Sequence, residues 1–162
     1  MGVRIAFVVV FCVLPVMVSA IRPHLAPFYV KGRVYCDPCR AAFETSATTY
    51  IARAEVTLEC KDRMTNKSVY SKKARTDSSG SYTIFVDAIQ ANQNCEARLV
   101  TSPLPDCKEP TPGRDHSRVI LNRFNGIATN DRFVNNLGFM KDRVASVCAK
   151  IFRHYRDIDN GN

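Results

Sequence analysis

The stretch AEVTLECK, residues 54–61, decides which fold class we predict for this chain. Apolar and polar residues alternate along it, and one face of the pattern consists of Ala54, Val56, Leu58 and Cys60. The other face carries two glutamates and a lysine. A period of two with one charged face is typical of a β-strand whose other side is buried. We therefore expect a sheet that covers a hydrophobic core.

Further strand patterns lie on both sides of this stretch. We predict strands at residues 31–36, 54–61, 68–71, 81–86, 95–101 and 118–122. Turn residues separate them, as in Asp77-Ser78-Ser79-Gly80, and a proline-rich loop is expected at residues 102–117. Residues 21–29 are expected to form an extended arm because Pro23 and Pro27 interrupt helices and sheets. The pattern predicts an all-β fold, an antiparallel β-sandwich or small β-barrel of about six or seven strands.

The period changes near the C-terminus. One apolar stripe at helical spacing is formed by Val144, Val147, Cys148, Ile151, Phe152 and Tyr155. We predict a short C-terminal helix with Asp142 as its N-cap. Residues 157–162 are expected to form a frayed polar tail.

The first 20 residues are typical of a secretory signal peptide. Arg4 precedes an apolar run, and Val18-Ser19-Ala20 resembles a cleavage site. The run from residue 5 to residue 18 is shorter than the roughly 20 apolar residues that span a bilayer. Cleavage would remove 20 of the 162 residues, including one of the 23 basic residues, leaving a net charge of +7. We expect a single secreted domain at residues 21–162, without a membrane span after cleavage.

Cleavage would also change the cysteine count, because Cys12 is one of the seven cysteines. The remaining six are Cys36, Cys39, Cys60, Cys95, Cys107 and Cys148. An even set in an oxidising compartment predicts three disulfides, although sequence alone leaves 15 connectivities open. Cys36-Asp37-Pro38-Cys39 also allows a redox dithiol or half of a zinc site. Because no second ligand pair follows at close spacing, structural disulfides are favoured, with no metal and no cofactor.

Few residues suggest catalysis. The chain has no G-x-S-x-G or H-E-x-x-H motif, and its three histidines, His24, His116 and His154, are widely spaced. Two of them could still form an acid/base pair as in a secreted ribonuclease, but general acid/base work needs converging groups. We therefore predict that the protein is not an enzyme. Asn66-Lys67-Ser68 lies in a predicted turn and is the candidate glycosylation site.

The excess of basic residues allows an acidic partner. The densest run is Lys72-Lys73-Ala74-Arg75, and further basic residues lie along the predicted helix. These side chains either form a solvated polar face or contact an acidic polymer or receptor. Base-stacking signatures are absent, so nucleic acid is not expected as a partner.

One stretch resembles a known family. The nine residues Gly32-Arg33-Val34-Tyr35-Cys36-Asp37-Pro38-Cys39-Arg40 are similar to the signature of the pollen Ole e I family, also described as the pollen allergen and extensin-like family. The similarity continues through residues 60–62, 76–82, 95–99 and 135–140 and ends with Cys148 before Tyr155. It covers about residues 28–155, the expected core of the domain.

The resemblance implies a secreted plant protein with a β-rich fold. It also implies the disulfide pairs Cys36–Cys107, Cys39–Cys148 and Cys60–Cys95. Members are known as pollen proteins and are often allergens; some that are related to the tomato pollen protein act as extracellular ligands of receptor kinases during pollen hydration and tube growth, and others are linked to cell walls. The resemblance brings no catalytic residues. The leading hypothesis is a signalling ligand whose partner is a receptor-kinase ectodomain. The alternative is a cell-wall protein that binds acidic polysaccharide.

Overall fold

The computed structural model describes residues 26–87, 93–123, 125–159 and 161. The predicted signal peptide, residues 1–20, and most of the predicted arm lie outside these residues. The elements, in chain order, are β1 (Phe28–Asp37), β2 (Thr49–Tyr50), β3 (Glu55–Asp62), β4 (Ser68–Arg75), β5 (Ser81–Val86), β6 (Gln93–Thr101), β7 (Cys107–Pro110), β8 (His116–Val119), β9 (Asp131–Phe133), β10 (Leu137–Lys141) and α1 (Cys148–Asp159).

The strands form two sheets. The larger sheet is organised by the long strand β1, which pairs antiparallel with β2 and β5 and parallel with β9 and β10. Strand β7 extends this sheet from β10. The smaller sheet has the order β4–β3–β6–β8 and is antiparallel throughout. The larger sheet is therefore mixed: β9 follows the long connection from β8 of the smaller sheet, and β9 and β10, which are three residues apart in sequence, both run parallel to β1.

The inner faces of the two sheets share one hydrophobic core. Val30 and Ile84 from the larger sheet and Val56 and Leu58 from the smaller sheet belong to the same buried cluster. All four apolar residues predicted for the 54–61 stretch are fully buried. The predicted all-β fold with three disulfides and a short C-terminal helix is confirmed, and its form is the sandwich.

The predicted number of strands is too low, since the described residues contain ten. Strand β7 lies within the predicted loop 102–117, and β2 and β9 are two and three residues long. Such short strands show no period of their own and are formed by pairing with β1 and β10. Strand β1 begins at Phe28, inside the predicted arm, because Phe28–Val30 pair with β5 and β9. Strand β8 begins and ends earlier than the predicted 118–122.

The helix begins at Cys148, so the predicted N-cap at Asp142 is wrong. Val144 and Val147 precede the helix and are 55% and 48% exposed. The backbone N–H of Ala145 donates to the carbonyl of Pro38, and Cys148 is bonded to Cys39. These links keep residues 142–147 in an irregular connection. The helix ends at Asp159, so the polar tail predicted from residue 157 is also wrong for its first three residues.

The turn between β4 and β5 shows how local polar chemistry fixes a connection. Asp77 accepts hydrogen bonds from the hydroxyl of Ser79 and from the backbone N–H groups of Ser79 and Ser81. Gly80 has a φ of 74° and packs against Tyr50, so a side chain there would be strained. The predicted turn is confirmed.

We expect this turn to respond to acid. The hydrogen bond from the Ser79 hydroxyl, followed by the N–H of Ser81, lowers the pKa of Asp77. The stabilisation is therefore present above the ordinary pKa of aspartate, about 4, and is lost as the pH falls through the lowered value. In an NMR titration, the midpoint for Asp77 should lie below that of free aspartate. In the Ser79→Ala variant, the midpoint for Asp77 should rise. Asp62, held by Thr65 in another turn, is the unaffected control; an unchanged Asp77 midpoint in the variant would contradict this account.

Candidate functional site

The Cys36-Asp37-Pro38-Cys39 segment is a buried turn at the end of β1. The carboxylate of Asp37 is fully buried and accepts hydrogen bonds from the backbone N–H groups of Cys39 and Ala42, both at 2.9 Å. Ala42 has a φ of 64°, so the carboxylate holds the chain in a tight reversal. Cys36 and Cys39 are not bonded to each other. The segment is therefore a structural junction and not a redox dithiol.

Three disulfides fasten this junction and the smaller sheet. They join Cys36 to Cys107, Cys39 to Cys148 and Cys60 to Cys95. These are the pairs that the resemblance implies. Cys36–Cys107 connects β1 to β7, and Cys39–Cys148 attaches the first residue of α1 to the turn after β1. Cys60–Cys95 joins residues that lie directly opposite each other on β3 and β6.

The remaining signature residues also have structural roles. A side chain at Gly32 would collide with the ring of Tyr82, its partner on β5. Val34 and Tyr35 are buried, and the ring of Tyr35 lies against Gly138 of β10. None of these three residues offers a polar group to a ligand at the surface. They specify how β1 packs between its neighbours.

Arg40 closes the junction from outside. Its Nη1 donates to the carboxylate of Glu109 and to the carbonyl of Lys141, both at 2.7 Å. The hydrogen bond from Arg40 lowers the pKa of Glu109. Arg40 therefore ties the signature turn to β7 and β10. The signature thus lies in the framework of the fold, and an interaction site must be sought on other surfaces.

The basic run of residues 72–75 lies on β4, where successive side chains point to opposite sides of the sheet. Lys73 Nζ lies 2.7 Å from a carboxylate oxygen of Glu55, and Arg75 lies 3.8 Å from the other oxygen. Lys72 points away from both and lies over the ring of Phe85, 5.0 Å from its centroid. Exposed ion pairs of this kind contribute little to stability. The run is therefore not a continuous basic patch.

An apolar groove lies beside α1. Val147, Ile151 and Tyr155 form one wall, Ser46 and Ala47 form the other, and the volume is about 540 Å³. Phe43 is 41% exposed, and its ring centroid lies 6.1 Å from that of Tyr155. The apolar stripe of the helix is therefore only partly covered by the protein itself. We call this surface, lined by the five wall residues with Lys150 and His154 and adjoined by Phe43, the helix groove.

The border of the helix groove is basic. Lys150 and His154 line it, and Arg153 and Arg156 are exposed on the same helix. Within the described part of the chain, no carboxylate lies within 4 Å of these three basic groups on α1, Lys150, Arg153 and Arg156. The groove therefore combines an apolar floor with basic side chains that form no ion pair with any carboxylate whose side chain the structure describes.

The family follows from the signature and its placement. The family model described as "Pollen protein Ole e 1 like" matches residues 26–156, from just before β1 into α1. The chain belongs to this Ole e 1-like family. The family resemblance drawn from residues 32–40 is confirmed, and the match covers both sheets and all six cysteines of the described domain.

Individual relatives agree with this assignment. The Ole e 1-like chain is 41% identical over 157 residues to the Protein DOWNSTREAM OF FLC of Arabidopsis thaliana, covering 96% of this chain and 95% of that protein. It is 35% identical over 143 residues to the Anther-specific protein LAT52 of Solanum lycopersicum, covering 87% and 89%. The crystal structure of the Major Plantain Pollen Allergen Pla l 1 matches it with a TM-score of 0.68 and 34% identity, covering 76% of this chain and all of that one.

These findings make the Ole e 1-like protein a pollen-associated protein by family. In the described residues, Nδ1 of His116, the first residue of β8, lies 3.0 Å from a carboxylate oxygen of Asp115, whereas His154 lies on α1, with no hydrogen bond between the two histidines. His24 lies outside these residues. No group of three or more histidine, cysteine or acidic side chains is arranged to hold a metal ion in the described ranges.

The predicted glycosylation site and the question of a membrane span complete the description of the Ole e 1-like protein. Asn66 is exposed in the turn between β3 and β4, with a φ of 55°, and its glycosylation remains a prediction. Among the residues that the structure describes, no helix has the length and apolar character needed to cross a membrane.

Proposed function

We propose that this protein is a secreted, non-enzymatic ligand of pollen that binds the ectodomain of a receptor kinase through the helix groove. The observation that supports this proposal is the partly covered apolar stripe of α1. Protein interfaces combine an apolar centre with a polar rim, and the helix groove has both. The unneutralised basic border of the groove predicts a partner with an apolar patch edged by acidic residues.

The disulfide framework suits this role. Cys39–Cys148 attaches the start of α1 to the turn after β1, so the helix is presented without requiring a large contact with the sheets. A preorganised helix loses less conformational entropy on binding than a flexible segment would. The proposal therefore needs no change of fold on binding.

The test uses labelled secreted protein and plasma-membrane vesicles from pollen tubes. We expect saturable binding that unlabelled protein displaces and that persists up to about 0.5 M salt, because salt screens the charges at the border but not the apolar centre of the contact. Val147→Glu should weaken binding at least about tenfold, since it places a carboxylate in the groove. Val69→Glu is the matched control, because Val69 is also a half-exposed valine, on β4.

Three results would contradict the proposal. Equal binding of Val147→Glu and Val69→Glu would remove the helix groove from the interaction. Binding that survives protease treatment of the vesicles would show that lipid or glycan, and not a protein, is the partner. Absence of saturable binding to the vesicles would exclude a pollen-tube receptor for this ligand.

A further inference from the structure

The outer face of the larger sheet carries an unusual pattern of side chains. Strands β5, β1 and β9 lie side by side, and Tyr29, Lys31 and Arg33 point outward from β1 because the residues between them face the core. Phe85 lies opposite Tyr29, and Phe133 lies opposite Lys31. We call these five residues the aromatic–cationic face. It shares no residue with the helix groove.

The rings on this face are accessible. Tyr29 and Phe85 are 37% and 41% exposed and meet edge to face with centroids 5.8 Å apart, while Phe133 is 77% exposed. Burying such rings in a folded protein would be favourable, so exposed rings that cluster on one face indicate a contact surface. The sequence did not reveal this cluster, since Tyr29 lies in the predicted arm and the other two rings lie on distant strands.

Three of the rings on this side of the molecule, those of Phe133, Phe85 and Tyr50, have a cation beside them. Lys31 Nζ lies 6.0 Å from the centroid of Phe133, and Lys72 Nζ, at the edge of the face, lies 5.0 Å from that of Phe85. The Arg33 guanidinium lies 3.2 Å from the centroid of Tyr50, another half-exposed ring at the edge. Cations at these distances are attracted to the ring faces, so charge and aromatic surface alternate across the sheet.

The negative charge in contact with these cations is small. Asp131 lies 2.8 Å from Lys31, whereas no carboxylate lies within 4 Å of Arg33 or Lys72 among the described residues. Glu44 accepts a hydrogen bond from the hydroxyl of Tyr50. The outer face of the smaller sheet differs, because its glutamates pair with Lys61, Lys73, Arg75 and Arg98.

We propose that the aromatic–cationic face binds an acidic polysaccharide built of uronic acid residues. Pyranose rings carry a C–H face that packs on an aromatic ring, and their carboxylates accept charge-assisted hydrogen bonds from lysine and arginine. Outward residues along β1 recur about every 6.6 Å, so an extended chain laid along the strand would meet rings and cations in turn. This inference is independent of the proposed receptor binding, since the two surfaces are different.

The experiment measures binding of the secreted protein, with its disulfides intact, to polygalacturonate by calorimetry or affinity electrophoresis. Two comparison polymers separate charge from sugar: fully methyl-esterified pectin removes the negative charge, and polyglutamate removes the sugar rings. We expect polygalacturonate to bind at least about tenfold more tightly than either. The affinity should fall as salt rises, because exposed charges are screened.

Variants locate the site. Phe133→Ala should weaken binding about five- to tenfold, whereas Phe43→Ala, which removes an exposed ring at the helix groove, should not. Lys31→Gln should weaken it about two- to fivefold, whereas Lys73→Gln makes the same charge change on the smaller sheet and should have little effect. Asp131→Asn should strengthen binding, because Asp131 competes with the polymer for Lys31.

The control variants also define what would overturn the inference. Equal binding of polyglutamate, or equal losses in Lys31→Gln and Lys73→Gln, would show non-specific attraction to a basic protein. Unchanged affinity in Phe133→Ala, or weaker binding in Asp131→Asn, would exclude this face as the site. Thermal unfolding of each variant verifies that the fold is intact, and a failure here would leave the vesicle-binding result unaffected.

Discussion

Replacing Asp37 with alanine is expected to lower the free energy of unfolding by about 3 kcal/mol, because one buried and one partly buried N–H donor lose their acceptor. The carboxylate is fully buried and accepts from Cys39 and Ala42. Water cannot replace it without opening the turn that also carries the Cys36–Cys107 and Cys39–Cys148 bonds. Urea unfolding under non-reducing conditions measures the change, with the slope of the transition expected to stay constant.

Two variants test the cause of this loss. Asp37→Asn retains one acceptor oxygen and should lie between the wild type and Asp37→Ala. Asp62→Ala is the matched control, since Asp62 also accepts hydrogen bonds from two backbone N–H groups, those of Met64 and Thr65, but does so in an exposed turn. Water can replace that carboxylate, so Asp62→Ala should lower the free energy of unfolding clearly less than Asp37→Ala does. Equal losses at the two aspartates would mean that burial of the signature turn is not what makes Asp37 important.

The parts of the fold that sequence predicts well are those where a local period matches burial on one side. Residues 54–61 and 81–86 alternate because each strand has the core on one face and solvent on the other. Strand β10 was missed for the opposite reason. Leu137, Gly138, Phe139 and Met140 are all buried, so both faces of β10 are covered, and a strand buried on both faces does not alternate.

The C-terminal helix shows a second reason why prediction from sequence falls short. Val144 and Val147 match the helical spacing of Ile151 and Tyr155, yet they remain exposed outside the helix. The spacing of apolar residues shows which residues could share one face of a helix. It does not show where the helix begins, which here is at Cys148, the residue that is disulfide-bonded to Cys39. For the same reason the helix groove was not predicted: its second wall, Ser46 and Ala47, comes from a loop about a hundred residues earlier in the chain.

The aromatic–cationic face was beyond sequence reasoning because it depends on register. Lys31 meets Phe133 only because β9 pairs with β1 in a parallel register, and Tyr29 meets Phe85 only through the β1–β5 ladder. A shift of one residue would turn these rings into the core. The basic excess did suggest an acidic partner, but the linear run that drew attention to it, residues 72–75, divides between two surfaces.

Arg132 is another residue whose role appears only in the fold. It is 4% exposed, and its guanidinium donates to the backbone carbonyls of Ile120, Asn122 and Thr129 while lying 4.6 Å from the centroid of Phe28. Burial, followed by the nearby positive charge of Arg123, lowers the pKa of Arg132, but neutral carbonyl acceptors still surround a cation. These hydrogen bonds hold the connection between β8 and β9 against the core.

Arg132→Met is therefore expected to reduce the free energy of unfolding by about 3–4 kcal/mol, since methionine fills part of the space but the partly buried carbonyls lose their charged donor. Arg132→Lys should also be destabilised, because an ammonium group cannot reach carbonyls on both sides of the guanidinium plane. Arg118→Met, at an exposed arginine of β8, is the control and should unfold at the wild-type urea concentration. If Arg132→Met and Arg118→Met unfold at the same concentration, the connection is held by packing on Phe28 rather than by these hydrogen bonds.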